Sequence, residues 1–120
     1  DGEVVQCIPT SEMSYATNSR NVDTLSIECC HPDDTGEFTE ATKESLVKLT
    51  AWLCQELNLK DRDVIRHYDV IGKNCPKYYV EHEDEWKALR KEIRKAVKKS
   101  GEQAEPAETA AMDRKNQTEK

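Results

Sequence analysis

The sequence predicts an α/β fold, and three features carry that reading. The run Thr24-Leu25-Ser26-Ile27-Glu28-Cys29-Cys30 alternates, sending Leu25, Ile27 and Cys29 to one face and Ser26, Glu28 and Cys30 to the other, which is the period of a β-strand. Leu46, Leu49, Leu53 and Leu57, supported by Ala51 and Trp52, recur at three- and four-residue steps, so they form the apolar stripe of a helix that should pack on a sheet. Trp86, Leu89, Ile93 and Val97 form a second stripe of the same kind.

Each element follows from local chemistry. Asp1 to Pro9 reads as a strand, with Val4, Val5, Cys7 and Ile8 favouring β structure and Pro9 closing the run. Thr10 to Asp23 is a polar loop with a short extended piece at Met13 to Ala16 and turn chemistry at Asn18-Ser19-Arg20-Asn21. After the Thr24 to Cys30 strand, His31-Pro32-Asp33-Asp34-Thr35-Gly36 is a loop, and Thr39 is placed to cap a helix running to about Leu57. Asp63-Val64-Ile65-Arg66-His67 reads as a short third strand. The last helix runs from about Glu83 to Lys99, with acidic residues at its start and basic ones towards its end, an order that complements the helix dipole. From Ser100 to Lys120 there is no apolar periodicity, so the expected division is a domain over 1–99 and a flexible polar tail or linker over 100–120.

A chain of 120 residues suits one small domain. Only 36% of its residues are hydrophobic and 35% are charged, which predicts a thin core together with a solvated tail. The net charge of -6 argues against nucleic acid as a partner, and no apolar run of the roughly 20 residues needed to span a bilayer is present, so no membrane partner is expected. The five cysteines, at 7, 29, 30, 54 and 75, are odd in number and include an adjacent pair, a poor disulfide framework that predicts reduced thiols and synthesis in the cytoplasm.

Candidate chemistry gathers in His67-Tyr68-Asp69-Val70-Ile71-Gly72-Lys73-Asn74-Cys75-Pro76. His67 and Cys75 are both zinc-ligand types, eight positions apart, with Gly72 and Pro76 to bend the chain; a loop of this length can bring both within about 2.0–2.3 Å of one ion. A packed loop is the competing reading. Lys73 puts a positive charge two residues before the thiol, where a substrate oxygen would turn negative during acyl-group hydrolysis. Glu28 is a carboxylate inside an otherwise apolar strand, a conflict with local preference that collects at functional sites, although an exposed strand face would also produce it. His31 is a candidate third ligand, His82 a capping or surface residue, and Tyr68, Tyr78 and Tyr79 either line a cleft or pack in the core.

The His67 to Pro76 decapeptide resembles the zinc-loop signature of the type 2 N-acetylmuramoyl-L-alanine amidases, a family that includes phage lysozymes of the amidase type and peptidoglycan recognition proteins. Ile71 departs from it, standing where the family usually has Thr or Ser. Ser26-Ile27-Glu28-Cys29-Cys30-His31 is similar to the family segment often written IGIECCH. The resemblance spans residues 3 to 97 and implies a mixed β-sheet flanked by helices, with the first strand or strands missing. It also implies His67 and Cys75 as ligands of Zn2+, Glu28 as catalytic acid/base and Lys73 as a catalytic assistant. The activity implied is hydrolysis of the amide between N-acetylmuramic acid and L-alanine, with muramyl peptide of peptidoglycan as substrate and the cell wall as place of action. The alternative is a non-catalytic peptidoglycan-binding module; retention of Glu28, Lys73 and Cys75 favours the enzyme. The family's first zinc-binding His has no counterpart here, so the chain is expected to be the C-terminal portion of a longer enzyme, with a wall-binding domain beyond its own C-terminus.

Overall fold

The computed structural model describes residues 2–102, and among these the regular structure is helical. Four α-helices follow in order: α1 Glu40–Glu56, α2 His67–Ile71, α3 Lys77–Glu81 and α4 Glu83–Glu102, with single 3-10 turns at Asn18–Arg20 and Asp61–Asp63. The mixed β-sheet expected from the sequence is corrected by this finding. Residues 2–9 and 24–30 are irregular, and the expected strand from Asp63 to His67 divides into the end of a 3-10 turn, a three-residue connection and the first residue of α2.

The reason is where backbone hydrogen bonds can be found. A helix satisfies its N–H and C=O groups within itself, whereas a strand needs a second segment alongside. Among the described residues no backbone hydrogen bond joins any two of the three expected strands. The face pattern fails with the pairing: Leu25 and Ile27 remain exposed, while the hydroxyl of Ser26 is buried without a partner.

The first long helix keeps its predicted ends and the last its predicted start, while α4 continues three residues past the expected end at Lys99 into the expected tail. Thr39 caps α1, its Oγ1 accepting from the Thr42 N–H at 3.2 Å. At the other end Asn58 adopts φ 56°, and the Leu59 N–H reaches back to the Cys54 carbonyl at 2.7 Å. This is a Schellman closure with asparagine in the left-handed position that glycine usually takes. The helix α4 opens on Glu83, Asp84 and Glu85 and carries Lys99 in its last turn, in the sense the dipole favours. The remainder of the predicted polar tail, 103–120, lies outside the described residues.

The core lies between α1, α3 and α4. Trp86, Leu89 and Ile93 of α4 are buried with Tyr79 of α3 and Phe38 just before α1, and Leu46, Val47, Val64, Val97 and Cys29 pack around them. Burying side chains of this kind contributes about 1.5–3 kcal/mol each. The face α1 buries is Thr50, Ala51 and Cys54, about a quarter turn from the expected leucine stripe, and Leu57 is 51% exposed. With α4 rather than a sheet as its partner, α1 buries the smaller residues that let two helices approach. No helix among the described residues is long and apolar enough to cross a membrane.

Arg66 joins the parts. Only 7% exposed, it stands immediately before α2 and donates to both oxygens of Asp69 (3.2 and 3.0 Å), to both of Glu83 (2.9 and 3.3 Å) and to the Tyr79 carbonyl (2.8 Å). Its guanidinium carbon also lies 5.1 Å from the ring centres of Tyr68 and of Trp86. Burial pushes the Asp69 carboxyl up, but hydrogen bonds and charge from Arg66 outweigh it and hold the group below its ordinary value of 3.8.

Arg66→Ala should lose on the order of 2–4 kcal/mol in urea unfolding, since it removes a packed guanidinium with five hydrogen bonds and leaves the Tyr79 carbonyl and the part-buried Asp69 carboxylate without their donor. Arg66→Lys should recover less than half of that, because an ammonium lacks the planar fork. Because the Asp69 pKa is depressed by folding, its contribution is present above the unfolded value near 3.8 and is lost as pH falls through the folded value. Unfolding curves of the wild type should therefore weaken below about pH 4 more steeply than those of Arg66→Ala.

Candidate functional site

The His67 to Cys75 segment folds back on itself. Arg66 precedes the first residue of α2, and its backbone N–H is taken by the Asp69 carboxylate at 2.9 Å. Gly72, at φ 75°, ends α2 with its N–H on the Tyr68 carbonyl at 2.8 Å. The chain then returns, and the Tyr68 N–H donates to the Cys75 carbonyl at 3.0 Å, so the two ends of the loop meet. The Cys75 N–H bonds the Lys73 carbonyl at 2.7 Å, and the Cys75–Pro76 peptide is cis. Asn74 ties the loop to α3 through Nδ2 and the Glu81 carboxylate at 3.0 Å.

His67 and Cys75 are half-buried at this closure, while Lys73 is exposed. The Nε2 of His67 lies 2.7 Å from Oδ1 of Asn18. An amide oxygen only accepts, so this contact is a hydrogen bond when the ring carries a proton on Nε2. Imidazole nitrogen and thiol sulfur, presented at the two ends of a closed loop, suit zinc in chemistry. They are two donors, and no group of three or more His, Cys, Asp or Glu that could hold a metal is found among the described residues.

Glu28 is exposed on the irregular segment 24–30, and no hydrogen bond or ion pair among the described residues joins it to His67, Lys73 or Cys75. Its neighbour Cys29 turns inward against the core. Burial first, and then the charges of Glu28, Cys30 and Cys75, push the Cys29 thiol up to about 11. At neutral pH Cys29 is thus a packed, protonated thiol that anchors the segment, with Glu28 on one side and Cys75 within electrostatic reach. All five cysteines are free, and Cys54 is buried as its helical position predicts.

The remaining candidates fall elsewhere. The Nδ1 of His31 is taken up by its own loop, 2.8 Å from the Asp33 carbonyl. His82 ends α3, with Nδ1 2.9 Å from the Tyr78 carbonyl and its ring stacked on Tyr78 at 4.3 Å, the capping role expected for it. Tyr79 is core, and burial first of all pushes its hydroxyl up to about 12. Two open hollows of about 380 and 330 Å3 lie on the flanks of α1 and α4, and neither is lined by Glu28, His67, Lys73 or Cys75. Asn18, which bonds the His67 ring, and Arg66, anchored one residue before it, were not singled out as site residues. The only local signal for Asn18 is its place in a turn sequence.

The sequence has relatives of known family. The family model describing N-acetylmuramoyl-L-alanine amidase matches residues 1–78, which takes in Glu28 and the whole His67 to Cys75 loop. N-acetylmuramoyl-L-alanine amidase CwlL of Bacillus licheniformis is 27% identical over 103 residues, covering 76% of this chain and 28% of the relative. A second protein of Bacillus licheniformis, named as a probable N-acetylmuramoyl-L-alanine amidase, is 32% identical over 81 residues, covering 68% of this chain and 23% of the relative. The chain belongs to the type 2 N-acetylmuramoyl-L-alanine amidase family. It spans about a quarter of the length of these curated relatives. No solved structure matches it.

Two glycines distinguish conformational from steric demands around the site. Gly72 has φ 75° and open space where a Cβ would sit, so Gly72→Ala should cost about 1 kcal/mol, all of it conformational. Gly36 has φ 77° and a Cβ there would meet the Lys77 Cβ and the Tyr78 backbone nitrogen at 3.2 Å, so Gly36→Ala should cost more, on the order of 2–4 kcal/mol. Equal losses in urea unfolding would show that α3 yields to the loop.

Proposed function

We propose that this chain is part of a zinc-dependent amidase that hydrolyses the bond between N-acetylmuramic acid and L-alanine in cell-wall peptidoglycan. His67 and Cys75 would hold the ion, with further donors needed to complete its coordination. The observation that carries this reading is the closure of the loop by the Tyr68 N–H on the Cys75 carbonyl at 3.0 Å, which draws together the backbones on which imidazole and thiol stand. Family membership and the match over residues 1–78 supply the reaction class.

Zinc, when bound, polarises the amide carbonyl and makes water a better nucleophile at neutral pH. The chain's own residues do the rest. Glu28 accepts a proton as water adds to the carbonyl carbon and returns it to the amine nitrogen as the carbon–nitrogen bond breaks. Its exposure suits a group that must exchange protons with substrate. The Lys73 ammonium offsets the negative charge that builds on the carbonyl oxygen, and its exposure on the rim of the loop leaves it free to approach substrate.

The presence of only two donors among the described residues favours a second reading, a module that holds peptidoglycan without cutting it. The two are separated by a zymogram on purified cell walls with the full-length protein. Glu28→Gln should reduce clearing by about 100-fold or more while leaving sedimentation with insoluble peptidoglycan intact. Cys75→Ser should lower the zinc that survives dialysis, read by elemental analysis. Wild-type protein that sediments with cell wall yet never clears it establishes the binding module instead.

A further inference from the structure

The turn that precedes the Glu28 segment is built more firmly than its polar composition requires. Within residues 17–24, the Asn21 side-chain carbonyl accepts from the Thr17 N–H at 2.8 Å, and the hydroxyls of Thr17 and Thr24 lie 2.6 Å apart. The Thr24 hydroxyl donates to the Arg20 carbonyl at 2.6 Å, and Arg20 forks onto both oxygens of Asp23 at 2.8 and 2.9 Å. At the apex Asn18 takes φ 53°, the left-handed region where asparagine is among the few side chains tolerated. The apex side chain points at one target, the Nε2 of His67, 49 residues further along the chain.

We infer that Asn18 is a positioning residue for His67: its side-chain oxygen holds the imidazole as the Nε2–H tautomer at a set ring angle, leaving the Nδ1 lone pair as the nitrogen offered to a ligand. The inference rests on the zinc reading of the site for its purpose, though not for its geometry. Three features support it. The 2.7 Å contact is short for a nitrogen donor and a neutral oxygen, the acceptor cannot donate, and the turn's internal bonds fix where that acceptor stands. A metal-binding imidazole ordinarily gives its second N–H to an oxygen of the protein, which sets tautomer and ring direction. Arg66, locked into the core one residue earlier, fixes the backbone from which the ring projects. His67 is thereby held at both its root and its tip.

Two substitutions separate the side-chain oxygen from the backbone shape. Asn18→Gly keeps the left-handed turn and removes the acceptor, whereas Asn18→Asp keeps an acceptor oxygen in a residue that also tolerates this conformation. Nitrogen-15 NMR on the zinc-free chain, at a pH where the ring is neutral, reads the tautomer directly. Wild type and Asn18→Asp should show His67 protonated at Nε2, and Asn18→Gly should show both tautomers in exchange. In a zinc titration Asn18→Gly should bind about 10–100-fold more weakly than wild type, with Asn18→Asp recovering most of the loss. A wild-type ring protonated at Nδ1, or an unchanged tautomer in Asn18→Gly, overturns the inference. If the tautomer responds as described but wild type takes up no zinc, the role of Asn18 stands and the zinc reading of the site fails.

Discussion

A single buried guanidinium organises this molecule. Taking Arg66 out of water carries a desolvation cost of several kcal/mol, and the fold offsets it by matching a five-donor group with five hydrogen bonds. Those bonds reach α2 through Asp69, the middle of α3 through the Tyr79 carbonyl and the first turn of α4 through Glu83. The rings of Tyr68 and Trp86 cover the planar faces. Three helices are therefore registered against one side chain, two of them only five residues long. Helices that short do not persist alone in water. Without the guanidinium, little would set the direction in which α2 leaves the core, and α2 begins with His67.

What was legible in the sequence divides along the same line between local and distant interactions. Thr39 and the acidic start of α4 act within the first turn of their own helices, so their neighbours suffice to identify them, whereas Asn58 was read only as the start of a connection and its left-handed closing role appears in the fold. The stripe of Trp86, Leu89 and Ile93 was legible because one helix face needs one core, whatever stands opposite. The strands were different. Alternation in Thr24 to Cys30 describes a segment that has a partner alongside, and no sequence pattern states whether one is present. The leucine stripe of α1 misled for a related reason: which face is buried depended on meeting a helix instead of a sheet, and α4 selects Thr50, Ala51 and Cys54.

The candidate site repeats this division. The loop could be read from Gly72, Pro76 and the spacing of His67 and Cys75, because a chain reversal is local chemistry. The departure from the family signature at Ile71 is inconsequential to packing, since that side chain is half-exposed at the end of α2. Arg66, by contrast, reads as one more charged residue in an expected strand, and only the fold shows it dry. Asn18 reads as turn composition until the contact with His67 is seen. Cys29 and Cys30 were assigned to opposite faces by the alternation, and packing makes Cys29 the anchoring thiol and leaves Cys30 exposed, although Leu25 and Ile27 of the same expected face stay exposed.

These supports follow a common rule. Each residue proposed for chemistry is exposed or half-exposed, and beside each stands one that is pinned: Arg66 next to His67, Cys29 next to Glu28, and the Tyr68 N–H against Cys75. A reactive group needs access to substrate, but access alone leaves it sampling many rotamers, and a misplacement of about an ångström costs much of its effect. Fixing the adjacent backbone meets part of the second demand, because it sets the point from which the side chain projects and so bounds the space its rotamers can reach. Lys73 is the exception: it is exposed, and among the described residues its side chain has no hydrogen bond or ion pair. A lysine whose task is to bring charge near a developing oxyanion tolerates that freedom, since Coulomb attraction falls off slowly with distance and needs no directed lone pair. The degree of anchoring in this loop thus tracks the directionality of the bond each residue is proposed to make.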